Sequence, residues 1–316
     1  MRHPCNGTCN SRDGRQRCLG AVEGRAVLKT YSDLTLMARK LLMQDNIPGY
    51  QLEARLLVAH AAGKTLAELL RDSNLYTTEE VVDRVRGDIQ RRLDGEPVAY
   101  ITGDWEFYGI PLHITRDVLI PRMDTEIMID AVRDLLTGRK MDARVLDLCT
   151  GSGCIACAIA KELPATRLVA VDISPSALQV CRQNVAANRL HSRVLCMQAD
   201  ALATPPLGIG MFDVIVSNPP YIPSAEIETL DGSVRNYEPI WALDGGEDGL
   251  KFYRGIIKHW KTVLRPGGLI FFEVGEGQSP AVQDMLLSAG FSETTTRKDS
   301  GGTERVVIGL FGEPEG

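Results

Sequence analysis

The chain has 316 residues, of which 44% are hydrophobic and 24% charged, and its formal net charge is −6 at pH 7. This composition is typical of a soluble globular protein of one or two domains, and the acidic balance argues against a protein that mainly coats nucleic acid. The sequence contains no apolar run near the ~18–20 residues of a membrane span and no signal-peptide pattern, so we expect a cytoplasmic protein without a membrane partner.

The eight cysteines fall into two groups. Five lie in or beside apolar segments, which in a chain of this length predicts reduced, buried thiols rather than a disulfide framework; they are Cys149, Cys154, Cys157, Cys181 and Cys196. The other three share the first two dozen residues with His3. A metal knuckle is one interpretation, but the spacing matches no usual zinc pattern. We therefore predict a disordered extension over residues 1–28 and no metal site.

Residues 29–94 show helical periodicity throughout. Ser32 is placed to cap a first helix, residues 52–61 suit a second, and "KTLAELLRD" suits a short third. Thr78 precedes two glutamates, which marks the start of a fourth. Because apolar residues three and four apart give each helix one buried face, these short helices predict a small bundle.

The period changes at residues 95–122, "GEPVAYITGDWEFYGIPLHITRDVLIPR". Aromatic and β-branched residues alternate with polar ones between Gly and Pro, a pattern that favours strands and a hairpin. The segment is too apolar for a flexible linker, so we expect it to bridge two domains and to pack against one or both of them.

From about Asp124 onward, predicted strands and helices alternate. Such alternation indicates a parallel sheet with helices on both faces, and residues 292–311 predict an antiparallel hairpin at one edge of that sheet. The predicted strands are residues 145–146, 168–171, 194–197, 213–217 and 269–274, and the predicted helices are residues 154–161, 175–188 and 249–264.

The stretch "RVLDLCTGSGCIACAIA" combines a strand, a glycine loop and a helix. Gly151 and Gly153 let the backbone turn sharply and let a ligand approach closely. About twenty residues later, Asp172 ends the next strand, where a carboxylate can accept the hydroxyls of a ribose. Asp172 and Asp200 can alternatively be simple helix caps.

Two cofactor classes fit this loop. A dinucleotide fold accepts Ala156 at the third glycine position of its fingerprint. However, Asp147 stands two residues before the loop, where an acid disfavours a pyrophosphate and suits a cationic ligand such as S-adenosylmethionine. We expect Asp147 to end its strand and Asp200 to reach the adenine.

A second site follows the strand "FDVIVS" as Asn218-Pro219-Pro220-Tyr221. Ligands of open α/β sheets collect at this edge. Proline gives up a backbone donor, so the Asn218 amide oxygen and the Pro219 carbonyl can accept both N–H bonds of a planar –NH₂ group. Tyr221 offers a ring to a flat group. Such a clamp orients a delocalised, weakly nucleophilic nitrogen for in-line attack on a sulfonium methyl group.

Segments spread over residues 30–310 resemble the N5-glutamine methyltransferases that modify peptide chain release factors. They are "GEPVAYITGDWEFYG", "VLIPRMDTE", "VLDLCTGSGCIA", "AVDIS", "VSNPPYIP" and "YEPIWALDGGEDGLKFYRGI". The resemblance implies an α/β fold with a seven-stranded class I (Rossmann-like) methyltransferase domain at residues 126–316. It also implies a β-hairpin interdomain segment at residues 95–125 and a helical substrate-recognition bundle at residues 29–94.

The resemblance further implies S-adenosylmethionine as methyl donor, with S-adenosylhomocysteine as product. The implied partner is a class I release factor, methylated on the glutamine of its Gly-Gly-Gln loop, with no direct nucleic-acid contact. By position, the implied cofactor-binding residues are Cys149, Thr150, Gly151, Ser152, Gly153, Asp172, Ala201 and Asn218, and the implied catalytic residues are Asn218, Pro219, Pro220 and Tyr221.

Three positions depart from the family pattern. Cys149 stands where the family usually has Gly, and its Cβ disfavours a positive φ. Met123 replaces a usual Pro, and Ala201 lies where some members carry a large side chain over the adenine.

Two rival substrates remain at this stage. One is a glutamine of a ribosomal protein, and the other is adenine N6 in nucleic acid, which also presents a planar –NH₂ group. A nucleic-acid enzyme must flip a base and grip phosphates, and the acidic net charge disfavours it.

Overall fold

The computed structural model describes residues 29–138 and 142–312. Within these two ranges, none of the helices has the length and apolar character needed to cross a membrane. The predicted N-terminal extension, with its three cysteines and the suggested metal knuckle, lies outside the described residues.

The N-terminal domain is the predicted helical bundle. Its core is a cluster of buried side chains from all of its helices, including Leu34, Leu57 and Val85. The helices are α1 (Tyr31–Gln44), α2 (Tyr50–Ala62), α3 (Leu66–Arg71) and α4 (Glu79–Leu93).

The caps of the bundle helices confirm one prediction and correct another. Thr78 caps α4, as predicted. The first helix is capped by Thr30 and not by Ser32, because Thr30 and Asp33 form a reciprocal capping box in which each side chain accepts from the other residue's backbone N–H.

The segment that joins the domains is only partly a hairpin. Strands β1 (Asp104–Phe107) and β2 (Ile110–His113) pair antiparallel, as the alternation predicts. The residues before them form a short helix, α5 (Val98–Thr102), where β-structure was expected. Burial overrides the β-propensity there, because one side of α5 packs into the bundle core and the other into the core of the second domain.

The second domain is built on a seven-stranded sheet with the order β5-β4-β3-β6-β7-β9-β8. The first five of these pair in parallel, and β9 runs antiparallel between β7 and β8. The predicted parallel sheet with an edge hairpin is thereby confirmed. The strands are β3 (Arg144–Leu148), β4 (Arg167–Asp172), β5 (Val194–Gln198), β6 (Phe212–Ser217), β7 (Leu264–Glu273), β8 (Phe291–Lys298) and β9 (Glu304–Phe311).

Helices cover both faces of this sheet. Successive strand residues point to opposite faces, and Val145 and Leu146 accordingly belong to different buried clusters. Three helices pack on the Val145 side and two on the Leu146 side. The helices are α6 (Glu126–Leu136), α7 (Cys154–Glu162), α8 (Pro175–Ala187), the short α9 (Gly232–Arg235), α10 (Lys251–Trp260) and α11 (Ser279–Ser288).

Candidate active site

The site lies where the carboxyl ends of β4, β3 and β6 meet. These strands are neighbours in the sheet, and the chain order reverses between β3 and β6, which is where open α/β sheets bind ligands. A cavity of about 270 Å³ runs along this edge. One half is formed by the glycine loop and the ends of β4 and β5, and the other by the residues after β6 and by two distant segments.

Three residues of the glycine loop, which joins β3 to α7, have a left-handed backbone conformation. The φ angles of Cys149, Gly151 and Gly153 are 60°, 54° and 78°. A Cβ on Gly151 would meet no protein atom within 4 Å, so the loop leaves open space there for a ligand, whereas a Cβ on Gly153 would lie 2.6 Å from the Cys181 sulfur. Cys149 keeps the positive φ despite its Cβ, so the loop retains the conformation that glycine favours.

Asp147 corrects an expectation. Strand β3 continues to Leu148, and Asp147 is fully buried beneath the loop instead of facing a ligand. One of its carboxylate oxygens accepts from the Thr150 hydroxyl, while the other has no hydrogen-bond partner. Burial raises its pKa to about 7. The residue therefore ties down the loop and does not itself bind a cation.

Asp172 is placed as predicted, at the carboxyl end of β4 beside the glycine loop. Its two oxygens accept from the backbone N–H groups of Gly151 and Ser174, both at 2.9 Å. Desolvation raises its pKa, and these bonds partly oppose that effect. Since each carboxylate oxygen has a second lone pair, Asp172 can still accept from ligand hydroxyls. The cap of α8 is Ser174, so Asp172 is not a simple helix cap.

The floor of this half is largely apolar. Ala201 is buried and lines the cavity, next to Asp200 and Leu202. Asp200 accepts from the Leu202 backbone N–H at 2.8 Å. The cavity is lined by seven of the implied cofactor-binding residues, Cys149, Thr150, Gly151, Ser152, Asp172, Ala201 and Asn218. The eighth, Gly153, is not a lining residue and is the N-cap of α7.

The second half contains the motif after β6. Asn218 and Pro220 line the cavity, and Pro219 is buried between them. The Asn218 side chain donates from Nδ2 to the Thr125 hydroxyl oxygen at 3.3 Å. Tyr221, like Pro219, is not one of the residues that line the cavity; its hydroxyl donates to the Glu273 Oε1 atom at 3.5 Å.

Several cavity residues were missed by the sequence reasoning. Thr125 precedes α6, while Trp241, Ala242 and Phe252 come from a segment far along the chain. They belong to the quoted segments "VLIPRMDTE" and "YEPIWALDGGEDGLKFYRGI", and the sequence suggests that residues 226–244 shape the mouth of the substrate site, but it assigns none of them an individual role. Met123, the departure from the usual Pro, is 82% exposed on the turn before Thr125.

A buried glutamate holds this half of the cavity together. Glu238 accepts from the Arg122 guanidinium and from the Ile120 backbone N–H. Its neighbour Tyr237 donates to the Asp94 carbonyl at 3.0 Å, at the end of α4. The segment that contains Trp241 is thereby fixed to both the interdomain connector and the helical bundle.

Among the described residues, no group of three or more His, Cys, Asp or Glu side chains is arranged to hold a metal ion. The donor set instead fits an uncharged or cationic nucleoside on one side, with acidic acceptors and an apolar floor. On the other side, the side-chain amide of Asn218 offers an oxygen that suits a planar nitrogen.

This fold and site define a methyltransferase of the Rossmann-like class. The chain matches the family description "PrmC N-terminal domain" over residues 33–103 and "Methyltransferase small domain" over residues 124–230. It is 40% identical to the release factor glutamine methyltransferase of Geobacter sulfurreducens, over 87% of this chain and 94% of that protein. Its identity to the release factor glutamine methyltransferase of Clostridium acetobutylicum is 38%, over 89% and 98% of the two chains. The chain belongs to the release factor glutamine methyltransferase family.

Among solved structures, the hMettl16 catalytic domain in complex with MAT2A 3′UTR hairpin 6 aligns with a TM-score of 0.53. The alignment covers 74% of this chain and 82% of that chain at 18% identity. At this identity the likeness supports the fold alone.

Proposed function

We propose that this protein transfers a methyl group from S-adenosylmethionine to the side-chain amide nitrogen of the glutamine in the Gly-Gly-Gln loop of class I peptide chain release factors. The observation that carries the proposal is that the glycine loop, Asp172 and Asn218 line one cavity. A cofactor half and an amide-binding half therefore face each other across a short distance, as a direct transfer requires.

The cofactor half is suited to a nucleoside with a positive charge. Asp172 accepts the ribose hydroxyls, Gly151 leaves room beside them, and Ala201 with Leu202 forms an apolar surface for the base. When bound, S-adenosylmethionine supplies a methyl group made electrophilic by its sulfonium. The protein's part is to orient that ligand and to keep water out of a largely apolar cavity.

The target half binds the nitrogen through acceptors. The lone pair of a glutamine amide is delocalised, so the nitrogen is a weak nucleophile. Acceptance of both of its N–H bonds, by the Asn218 Oδ1 atom and the Pro219 carbonyl, orients the nitrogen and returns electron density to it. No strong base is needed before attack, because the cationic product loses its proton readily.

Family membership and the sequence identity to the two relatives support a release factor as the substrate over the two rival substrates. Both relatives named above align over nearly their full length, including the helical domain that we propose recognises the protein substrate. A substrate that acts in translation places the reaction in the cytoplasm, where the five described cysteines, all free thiols in the structure, stay reduced.

The test is methyl transfer from labelled S-adenosylmethionine to a purified class I release factor. We expect one methyl group per molecule, located by mass spectrometry on the glutamine of the Gly-Gly-Gln loop. A release factor with Gln→Glu at that position removes the amide and should not be labelled.

Parallel reactions with ribosomal proteins and with single- and double-stranded nucleic acid separate the rivals. Labelling of either in preference to the release factor, or persistent labelling of the Gln→Glu protein, would assign the enzyme to a different target.

A further inference from the structure

The amide of Asn218 is useful to the proposed reaction in only one of its two orientations. An asparagine side chain presents an acceptor oxygen on one branch and a donor NH₂ on the other. The target N–H bonds need the oxygen, and a flipped amide would place a donor against a donor. Some feature of the protein must therefore fix the orientation.

Thr125 meets the NH₂ branch of Asn218. Its hydroxyl oxygen lies 3.3 Å from the Asn218 Nδ2 atom and accepts from it. Thr125 is 1% exposed, so its own hydroxyl proton also needs an acceptor within the protein. A hydroxyl that accepts from an amide on one side must donate on the other.

Glu273 is placed to be that acceptor. It ends β7, directly beside β6, is 3% exposed, and lies close enough to Thr125 for the Thr125 hydroxyl to lower the pKa of its carboxyl. The Tyr221 hydroxyl approaches the Oε1 atom of the same carboxyl group, whereas its Oε2 atom has no hydrogen-bond partner. Burying a carboxylate that has one oxygen without a hydrogen-bond partner costs free energy. Packing of the core alone does not require a carboxylate at this position.

We propose that Thr125 and Glu273 are positioning residues that fix the Asn218 amide through a hydrogen-bond relay, so that its Oδ1 atom faces the target nitrogen. The inference rests on the proposed function, because that function names the glutamine amide whose N–H group donates to the Oδ1 atom. An ionised Glu273 can only accept, so Thr125 donates to it, accepts from the Nδ2 atom of Asn218 and leaves the amide one orientation.

The charges around Glu273 determine the pH range in which its carboxyl group is ionised and the relay has one direction. Burial raises its pKa to about 7; Asp124 acts in the same direction, while Arg305 on β9 and the Tyr221 hydroxyl lower it. Tyr253 on α10 donates to its backbone carbonyl at 2.8 Å. Below about pH 7 the carboxyl gains a proton and becomes a donor as well, so the direction of the relay is no longer enforced.

Kinetics of release-factor methylation test the relay. Thr125→Val removes the hydroxyl at nearly constant volume, and we expect kcat to fall about 10-fold or more while the Kd for S-adenosylhomocysteine stays within about 2-fold. Thr125→Ser keeps the hydroxyl and should restore most of kcat. Thr166→Val is the matched control, because Thr166 is also buried and hydrogen-bonded, to the Leu163 carbonyl. Equal kcat values for Thr125→Val and the wild type would overturn the proposal.

The pH profile gives a second readout. Wild-type kcat should fall as the pH drops below about 7, where Glu273 gains its proton. In Glu273→Gln no carboxyl group titrates at this position, so that acid limb should shift or vanish, whatever the value of kcat at pH 8. An identical acid limb in both proteins would contradict the role of Glu273.

A third readout does not depend on the substrate. The ¹⁵N side-chain amide resonance of Asn218, assigned by its loss in Asn218→Ala, should shift in Thr125→Val but not in Thr125→Ser or Thr166→Val. This measurement is made with S-adenosylhomocysteine bound. Failure of release-factor labelling with the shift intact would reject the proposed substrate and keep the relay, and an unmoved resonance would reject the relay whatever the substrate is.

Discussion

At the scale of single residues, the proposed chemistry depends on a neutral acceptor at position 218. A carboxylate there would bind the target N–H groups as well, but it would also attract a proton or pair with the cofactor's charge. An amide accepts without either complication, and Pro219, which has no N–H of its own, places no competing donor on the backbone. Two acidic groups, Asp147 and Glu273, are buried outside the cavity lining and hold other residues in place.

Asn218→Ala should therefore abolish turnover with little effect on the cofactor. We expect kcat to fall by about 100-fold or more, while the Kd for S-adenosylhomocysteine, measured by calorimetry, rises only a few-fold. Asn188→Ala is the control, since Asn188 is buried and donates to the Pro111 carbonyl at 2.9 Å. Wild-type turnover in Asn218→Ala would refute the clamp.

The sequence revealed those site residues whose local context is distinctive. The glycine loop follows one buried strand and Asn-Pro-Pro-Tyr follows another. Both can be recognised in the sequence, because the packing of a buried strand does not require these residue types. Thr125 and Glu273 were missed because each looks ordinary in its own segment. Their importance arises only when β7 and the start of α6 meet beside β6, which is a property of the folded chain.

At the scale of elements, most strands and helices follow from periodicity, and the exceptions have tertiary causes. Helix α5 was taken for β-structure because "VAYIT" is rich in residues that favour strands. Its Val98 and Ile101 join the bundle core, while Ala99 and Tyr100 join the core beneath the sheet. Only the helical period places those pairs on opposite sides, so packing decides the conformation.

The segment around Glu238 acts as an element in its own right, although it has little regular structure. Glu238 ties it to Arg122 and Ile120, and Tyr237 ties it to the end of α4. Because Trp241 and Ala242 of the same segment line the target half, loss of the Glu238 charge should disturb substrate binding and not cofactor binding.

For Glu238→Gln we expect a loss of about 1–3 kcal/mol in the free energy of unfolding and a several-fold rise in KM for the release factor. The Kd for S-adenosylhomocysteine should not change. Urea denaturation and steady-state kinetics measure both effects. Glu228→Gln, in the same region but with a side chain that is 86% exposed, should stay within about 0.5 kcal/mol of the wild type. An unchanged KM for Glu238→Gln would show that the segment does not shape the target half.

At the scale of the whole molecule, two hydrophobic cores share one connecting helix, and the sheet edge carries the site. Two of the carboxyl groups buried in the second domain, those of Asp147 and Glu273, are strongly perturbed. Desolvation is the main cause that raises the pKa of both Asp147 and Glu273 to about 7. Each carboxyl group also has one oxygen without a hydrogen-bond partner. Function thus has a cost in stability that depends on pH.

The sign of that dependence follows from proton uptake. In the unfolded chain both carboxyl groups titrate near pH 4, so between about pH 4 and 7 the folded protein holds more protons than the unfolded one. Stability from these two groups therefore falls as the pH rises through this window and levels off above it. Asp147→Asn and Glu273→Gln should each make the free energy of unfolding less dependent on pH between 5 and 8, by about 2–4 kcal/mol per carboxyl.

Urea denaturation at intervals across that range measures the slope, with Asp284→Asn, at an exposed position on α11, as the control for loss of a surface carboxylate. A slope that is as steep in the double variant Asp147→Asn/Glu273→Gln as in the wild type would mean that the two carboxyls titrate normally. In that case the hydrogen bonds from Thr150 and Thr125 would outweigh burial, and Glu273 would remain ionised throughout the range in which the enzyme works.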